Sequence, residues 1–212
     1  MQEKKIKSLI DKDSLQAEIH FLKSQGLKFS LSVSNYTTSI ECEIEEFNKT
    51  YIAAPADLKS FIAYAMIKKD LTTWSGNEMP NVKPTDVNYF SQKKDIKTGY
   101  FGEVQNIDIK AAYASVLKRF YFIQEETYNY IMTLPKINRL AAVGMTAARK
   151  TVFNYEGTKI TGSEKIINPL EGYFYFCVKE IEKLMLYLEL TLEESFIFSW
   201  VDGIYFKDPT KT

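Results

Sequence analysis

Histidine is nearly absent from this chain: His20 is the one imidazole among 212 residues. That scarcity argues against the common zinc sites and against histidine-based acid–base catalysis. His20 itself reads as an exposed or packed side chain on a helix rather than as a ligand. Cysteine is almost as rare. Cys42 and Cys177 lie far apart and in no metal-ligand spacing, so two reduced, half-buried thiols are expected in place of a disulfide or a zinc site. Net charge is missing too, because 27 basic side chains balance 27 acidic ones. No global field therefore draws the protein to nucleic acid or to a membrane, and any nucleic-acid contact must be local. No apolar run approaches the roughly 18 residues of a membrane span. The start, Met1-Gln-Glu-Lys-Lys-Ile-Lys, leads into no apolar h-region, so a cytoplasmic protein without a membrane partner is expected. No internal repeat or low-complexity tract is visible. What is present is 45% hydrophobic content, enough for one good core or two small ones sharing an interface.

Hydrophobic periodicity divides the chain near residue 97. Asp13 or Ser14 caps a helix through about residue 24, with Leu15, Ile19 and Leu22 on one face and Gly26 as its stop. Residues 27–33 and 40–47 alternate apolar and polar side chains and predict a strand hairpin. Pro55 opens a second helix that carries Leu58, Phe61, Ile62, Ala65 and Met66 and ends near Lys69. Residues 71–97 form a long loop, either functional or a solvated connector. A strand over 100–109 then delivers Asp108 near its end, and a helix follows over 111–120. Two further helices, over 124–132 and from 136 to about 150, are separated by Pro135 and expected to pack as an antiparallel pair. A small hairpin over 151–160 turns at Glu156-Gly157, and a long amphipathic helix covers 173–190. Residues 196–200, Asp202-Gly203 and 204–207 carry the Asp-Gly hairpin signature. The expected class is α+β: an antiparallel sheet with packed helices over 98–212, short helical fingers at 121–150, and a small α/β domain over 1–97 before it.

Two short segments carry the chemistry. Asp108-Ile-Lys-Ala-Ala-Tyr113-Ala-Ser115 and Trp200-Val-Asp202-Gly203-Ile-Tyr205 each set one aspartate at the edge of an apolar strand. The first resembles the opening palm motif of family B DNA polymerases, with Asp108, Tyr113 and Ser115 in place and Ala114 where proline is usual. The second resembles the third palm motif of that family, with Asp202 at the metal-binding aspartate and Trp200 at the other one. Between them, Lys136 and Gly144 fall at the spacing of the family's second motif, while Leu140, Ala141 and Val143 occupy its other positions. The resemblance covers about residues 98–207, without an exonuclease domain or a thumb, and is closest to phage-type members, protein-primed ones among them. For a viral chain the expected location is the host cytoplasm.

What the resemblance implies is template-directed DNA synthesis, by a polymerase or primase, on a palm with short fingers. Two Mg²⁺ or Mn²⁺ ions, roughly 3.5–4 Å apart, would be held by Asp108, Asp202 and the Ile109 carbonyl. Lys136 and Arg139 would neutralise the deoxynucleoside triphosphate, Gly144 would sit near it, and Tyr113 would lie under its sugar and exclude a 2′-hydroxyl. Lys93, Lys94, Lys97, Lys118, Arg119, Arg149 and Lys150 would contact the phosphates of a DNA template or primer in place of a thumb. A replication partner, or a separate thumb-containing piece of a split polymerase, would complete the grip. Each residue also has a plain structural reading. Asp108 can cap the next helix, Asp202-Gly203 can be only a turn, Lys136 a solvated helix start, Tyr113 a core aromatic, and the lysines merely solubilising. A catalytically idle palm that binds nucleic acid or a partner is one alternative function, and an unrelated α/β interaction domain in which Asp108 and Asp202 are only a cap and a turn is another.

Overall fold

The structure, a computed structural model, describes residues 8–76, 79–92 and 103–207. Its architecture is α+β, with six helices and two largely antiparallel sheets. The first sheet has six strands in the order β1-β4-β3-β2-β7-β8. They are β1 (Ser8–Leu9), β2 (Lys28–Ser34), β3 (Thr37–Cys42), β4 (Lys49–Ile52), β7 (Arg149–Glu156) and β8 (Lys159–Ile167). Only the β1–β4 pair is parallel. The second sheet, fully antiparallel, orders β5 (Phe90–Gln92), β9 (Phe196–Trp200), β10 (Gly203–Lys207) and β6 (Val104–Asp108) as β5-β9-β10-β6.

Strand β2 shows how the first sheet is built. Phe29, Leu31 and Val33 alternate with Ser30, Ser32 and Ser34, giving one apolar and one hydroxyl-bearing face. The apolar face joins Leu15 and Leu22 of α1 (Lys12–Ser24) and Ile40 of β3 in a small core. Asp11 caps α1, accepting from the Asp13 and Ser14 amides, so the helix starts slightly before the expected Asp13 or Ser14 cap. On its other edge β2 pairs with β7, from Lys28 opposite Glu156 to Ser34 opposite Lys150. Phe29 stacks on Tyr155 with centroids 4.8 Å apart. This pairing crosses the expected division at residue 97: a hairpin assigned to the second half completes the sheet of the first. The hairpin is also longer than expected, and its turn at Gly157 (φ +56°) packs so closely on Gly26 that a Cβ there would lie 3.1 Å from the Gly26 Cα. Only glycine meets both conditions.

Three other expectations shift for identifiable reasons. Helix α2 (Leu58–Thr73) begins after Asp57 rather than at Pro55, because the Asp57 carboxylate accepts from the Ser60 amide at 2.8 Å in a capping box. It also runs past Lys69, and β5 forms within the expected 71–97 loop. Helix α5 (Lys136–Gly144) stops short of residue 150. A 3-10 turn, Met145–Ala147, follows it, and the chain then joins the first sheet as β7. Finally, α4 (Glu125–Thr133) and α5 do not lie together as a hairpin. Leu134 and Pro135 are both extended between them, and α5 packs chiefly on α2 while α4 packs on α2 and α3 (Ala112–Arg119).

The main core gathers all five helices after α1, including α6 (Glu171–Leu192). Ala63 and Ile67 of α2, Leu117 of α3, Ile131 of α4, Ala142 of α5 and Cys177 of α6 meet there. A neighbouring cluster packs α3 and α6 on the second sheet through Ala112, Ile181, Met185, Phe196 and Ile204. Both cysteines are free thiols, Cys177 buried and Cys42 half-buried. Burial pushes the Cys177 thiol well above its usual range. Among the described residues no helix is long and apolar enough to cross a membrane.

One buried carboxylate fastens the helices to each other. Asp70, in the last turn of α2 and only 8% exposed, accepts from the Gln124 amide at 2.9 Å and from the Thr127 hydroxyl at 2.6 Å. It thereby caps α4 from a distant part of the chain. Asp70→Ala is expected to lower the unfolding free energy by about 2 kcal/mol, since hydrogen bonds to a charged group are each worth more than neutral ones. A urea denaturation curve with unchanged slope and an earlier midpoint checks this.

Candidate functional site

The two aspartates singled out by sequence arrive at one end of the second sheet. Asp108 ends β6 directly opposite Gly203 of β10. The Ile109 N–H donates to the Asp202 carbonyl at 2.9 Å, tying the end of β6 to the β9–β10 turn. That turn is made by Val201 and Asp202, with Gly203 already paired to Trp200 inside the hairpin. The expected Asp-Gly turn is therefore displaced by one residue. A Cβ at Gly203 would sit 3.6 Å from Asp108 Oδ1 and 3.7 Å from the Tyr205 ring, ordinary contact distances that place this residue beside the carboxylate.

Both walls beside the aspartates hold strained backbone. Val201 has φ 54° and Ala111, at the start of α3, has φ 50°. Left-handed conformations cost a β-branched residue in particular, and such strain concentrates at functional sites. No sequence signal marks either residue.

Asp108, Asp202, Tyr113, Lys136 and Arg139 line one cleft of about 160 Å³, with Ile109 among its walls. Helix α5 supplies Lys136, Arg139, Leu140 and Val143 to this cleft, which is one helical face at i, i+3, i+4 and i+7. Its opposite face buries Asn138, Ala141 and Ala142. The Lys136 Nζ stands 3.8 Å from Asp108 Oδ2. Both side chains are half or more exposed, so the pair contributes under about 1 kcal/mol to stability. Its effect is local, setting a movable cation beside a carboxylate. Arg139 donates through Nη1 to the Leu134 carbonyl at 3.1 Å, while its Nε is buried and has no hydrogen-bond partner.

Electrostatics within the cleft are one of opposed demands. Burial, and then the negative charge of Asp108, push the Asp202 carboxyl above the usual carboxylate range, against the pull of a backbone hydrogen bond and of Lys136. Tyr113 lies flat on Phe174, with ring centroids 5.3 Å apart and planes 10° from parallel. Burial above all pushes its phenol up to about 12, so it stays a neutral hydroxyl. The Phe174 support was not foreseeable, since nothing in the sequence pairs these two positions.

The remaining candidates lie elsewhere. Gly144 is at the far end of α5 and outside the cleft, with the Tyr36 hydroxyl 2.5 Å from where a Cβ would be. Lys118 is paired with Glu125, and Arg149 with Glu171 at 3.4 Å. Arg119 borders a separate groove that also contains Glu180. Lys150 lies on the first sheet. Lys93, Lys94 and Lys97 fall outside the described residues. Those that are described are thus dispersed and make no single basic tract. Among the described residues no group of three or more His, Cys, Asp and Glu side chains converges. The two carboxylates that line the cleft are hard oxygen donors. No family model, curated protein or solved structure matches this chain.

Because folding raises the Asp202 pKa, the native state binds this proton more readily than the unfolded chain. The ionised carboxylate therefore opposes folding at neutral pH, and that opposition fades as the pH falls toward the ordinary value of 3.8. Asp202→Asn is expected to raise Tm most at neutral pH, with the gain shrinking steadily on acidification. Melting curves at closely spaced pH values test this, and a gain independent of pH would refute it.

Proposed function

We propose that the carboxylate cleft carries out nucleotidyl transfer in template-directed DNA synthesis, as a small polymerase or primase. In this reading the second sheet with α3 and α6 is a polymerase-like palm, and α4 and α5 are its short fingers. One observation carries the proposal. The two motif aspartates and Lys136, from three separate stretches of chain, line the same cleft, together with Arg139 and Tyr113.

Each side chain has a definite task in this reaction. Lys136, an exposed and movable cation, and Arg139 bind the triphosphate of a deoxynucleotide, where positive charge stabilises the charge developing on the leaving group. Asp108 and Asp202, with the Ile109 carbonyl, would hold two Mg²⁺ or Mn²⁺ ions, which suit all-oxygen donor sets. Such ions lower the pKa of an attacking hydroxyl and stabilise the leaving oxygens. The 3′-hydroxyl gives up its proton to water as its oxygen bonds to the α-phosphorus, the bond from that phosphorus to the α,β-bridging oxygen breaks, and pyrophosphate leaves. Burial first, and then the charge of Asp108, raises the Asp202 pKa, and cationic charge entering between the carboxylates would relieve the second of these. Tyr113, held flat by Phe174, lies under the sugar and leaves no room for a 2′-hydroxyl.

A second reading is a catalytically idle palm that binds nucleic acid or a replication partner. It draws on the partial neutralisation of Asp108 by Lys136 and on the lack of a third converging carboxylate among the described residues.

Incorporation of labelled deoxynucleotides, on primed and unprimed templates with Mg²⁺ or Mn²⁺, separates the two. Asp108→Ala and Asp202→Ala are expected to abolish synthesis with an unchanged circular dichroism spectrum. Lys136→Ala should lower kcat about 10²- to 10³-fold, the usual cost of losing one electrostatic donor. Full activity in either aspartate variant sinks the polymerase reading, and synthesis by the wild type sinks the idle one.

A further inference from the structure

A second cleft, of about 310 Å³, opens where the first sheet meets α2 and the turn after α5. It is larger than the carboxylate cleft and shares no lining residue with it. Tyr36, Phe61, Tyr64, Lys68, Lys150 and Asn168 define its character. Its charge is one-sided. Lys68 and Lys150 are exposed ammonium groups that make no ion pair among the described residues, and no Asp or Glu lines the cleft.

The aromatic walls are fixed in place. Asn168 donates through Nδ2 to the Tyr64 hydroxyl at 2.9 Å and to the Met145 carbonyl at 2.8 Å. The Tyr64 O–H is then left to donate. Tyr36 is set by Gly144, whose missing side chain leaves the space that the Tyr36 hydroxyl fills. Tyr36, Phe61 and Tyr64 also pack on Met145 and Ala141, so the rings form the rim of a small core and cannot collapse into the opening. The position that the resemblance assigned to nucleotide contact thus shapes this cleft and not the first.

Flat apolar rings beside two unpaired ammonium groups, with an amide and hydroxyls at hand and no carboxylate, match one ligand chemistry. A planar base stacks on the rings while its phosphate meets the lysines, and the volume is that of a small-ligand pocket. We propose that this second cleft binds a nucleotide unit, a nucleobase with its phosphate, either free or within a single-stranded nucleic acid. The inference does not depend on catalysis at Asp108 and Asp202.

Fluorescence anisotropy of a labelled oligo(dT), with EDTA present, tests it. Lys68→Glu combined with Lys150→Glu is expected to weaken binding about tenfold or more and to lower the log–log salt slope by about 1.4, as loss of two phosphate contacts on a single strand requires. Gly144→Ala, which displaces Tyr36, should weaken it less. Lys159→Glu with Lys165→Glu, the same charge change on exposed lysines of β8 outside the cleft, should stay within about twofold of wild type. Competition by excess dAMP would assign the cleft to free nucleotides, and persistence of the oligonucleotide would assign it to a strand. An equal loss in the β8 control, wild-type affinity in the Lys68 and Lys150 variant with an intact fold, or no binding of either probe by wild type overturns the proposal.

Discussion

Helix α2 depends on the rule that buried polar groups must find partners, and the rest of the molecule is organised around how it obeys that rule. Along its length it presents Ser60, Tyr64 and Asp70 to three different parts of the chain. Ser60 accepts from Asn138 of α5 at 3.1 Å, Tyr64 from Asn168 ahead of α6, and Asp70 from Gln124 and Thr127 of α4. Apolar contacts alone would let α4 and α5 slide, because Ala, Ile and Val faces are tolerant of register. The polar ties have fixed positions, and they fix the face that α5 shows to the aspartates.

That face brings together charges that would not choose each other's company. The backbone of Asp202 is held beside that of Asp108 through the Ile109 to Asp202 hydrogen bond, next to the strained Val201. Lys136 compensates only in part, from an exposed position, and Arg139 keeps a donor unspent. Stability is sacrificed locally, as is common where a site must be arranged for something other than the folded chain itself.

Much of the element inventory was legible from periodicity, including the strand ending at Asp108, the helix after it, α6 and the terminal hairpin. Boundaries moved where a local hydrogen bond outbid a propensity: Asp57 displaced Pro55 as the start of α2, and pairing with β8 and β2 drew residues 149–150 out of an alanine-rich helix. The partner of β2 could not be read, since alternation marks a strand's faces but not its neighbour. In the site, Asp108, Asp202, Lys136, Arg139 and Tyr113 were picked from motifs and do line one cleft. Gly144 was picked for spacing and makes room for Tyr36 outside that cleft.

The pairing of β2 with β7 has a consequence for how the chain is made. An N-terminal strand whose outer neighbour lies so far downstream leaves the ribosome long before that neighbour exists. At typical synthesis rates the wait is on the order of ten seconds. Throughout it, β2 presents an open row of amides and carbonyls to its surroundings, with Phe29 and Leu31 along it. The serines on its reverse face and Lys28 at its start temper that exposure, and a nascent chain of this topology is a natural client for a chaperone until residue 156 has emerged.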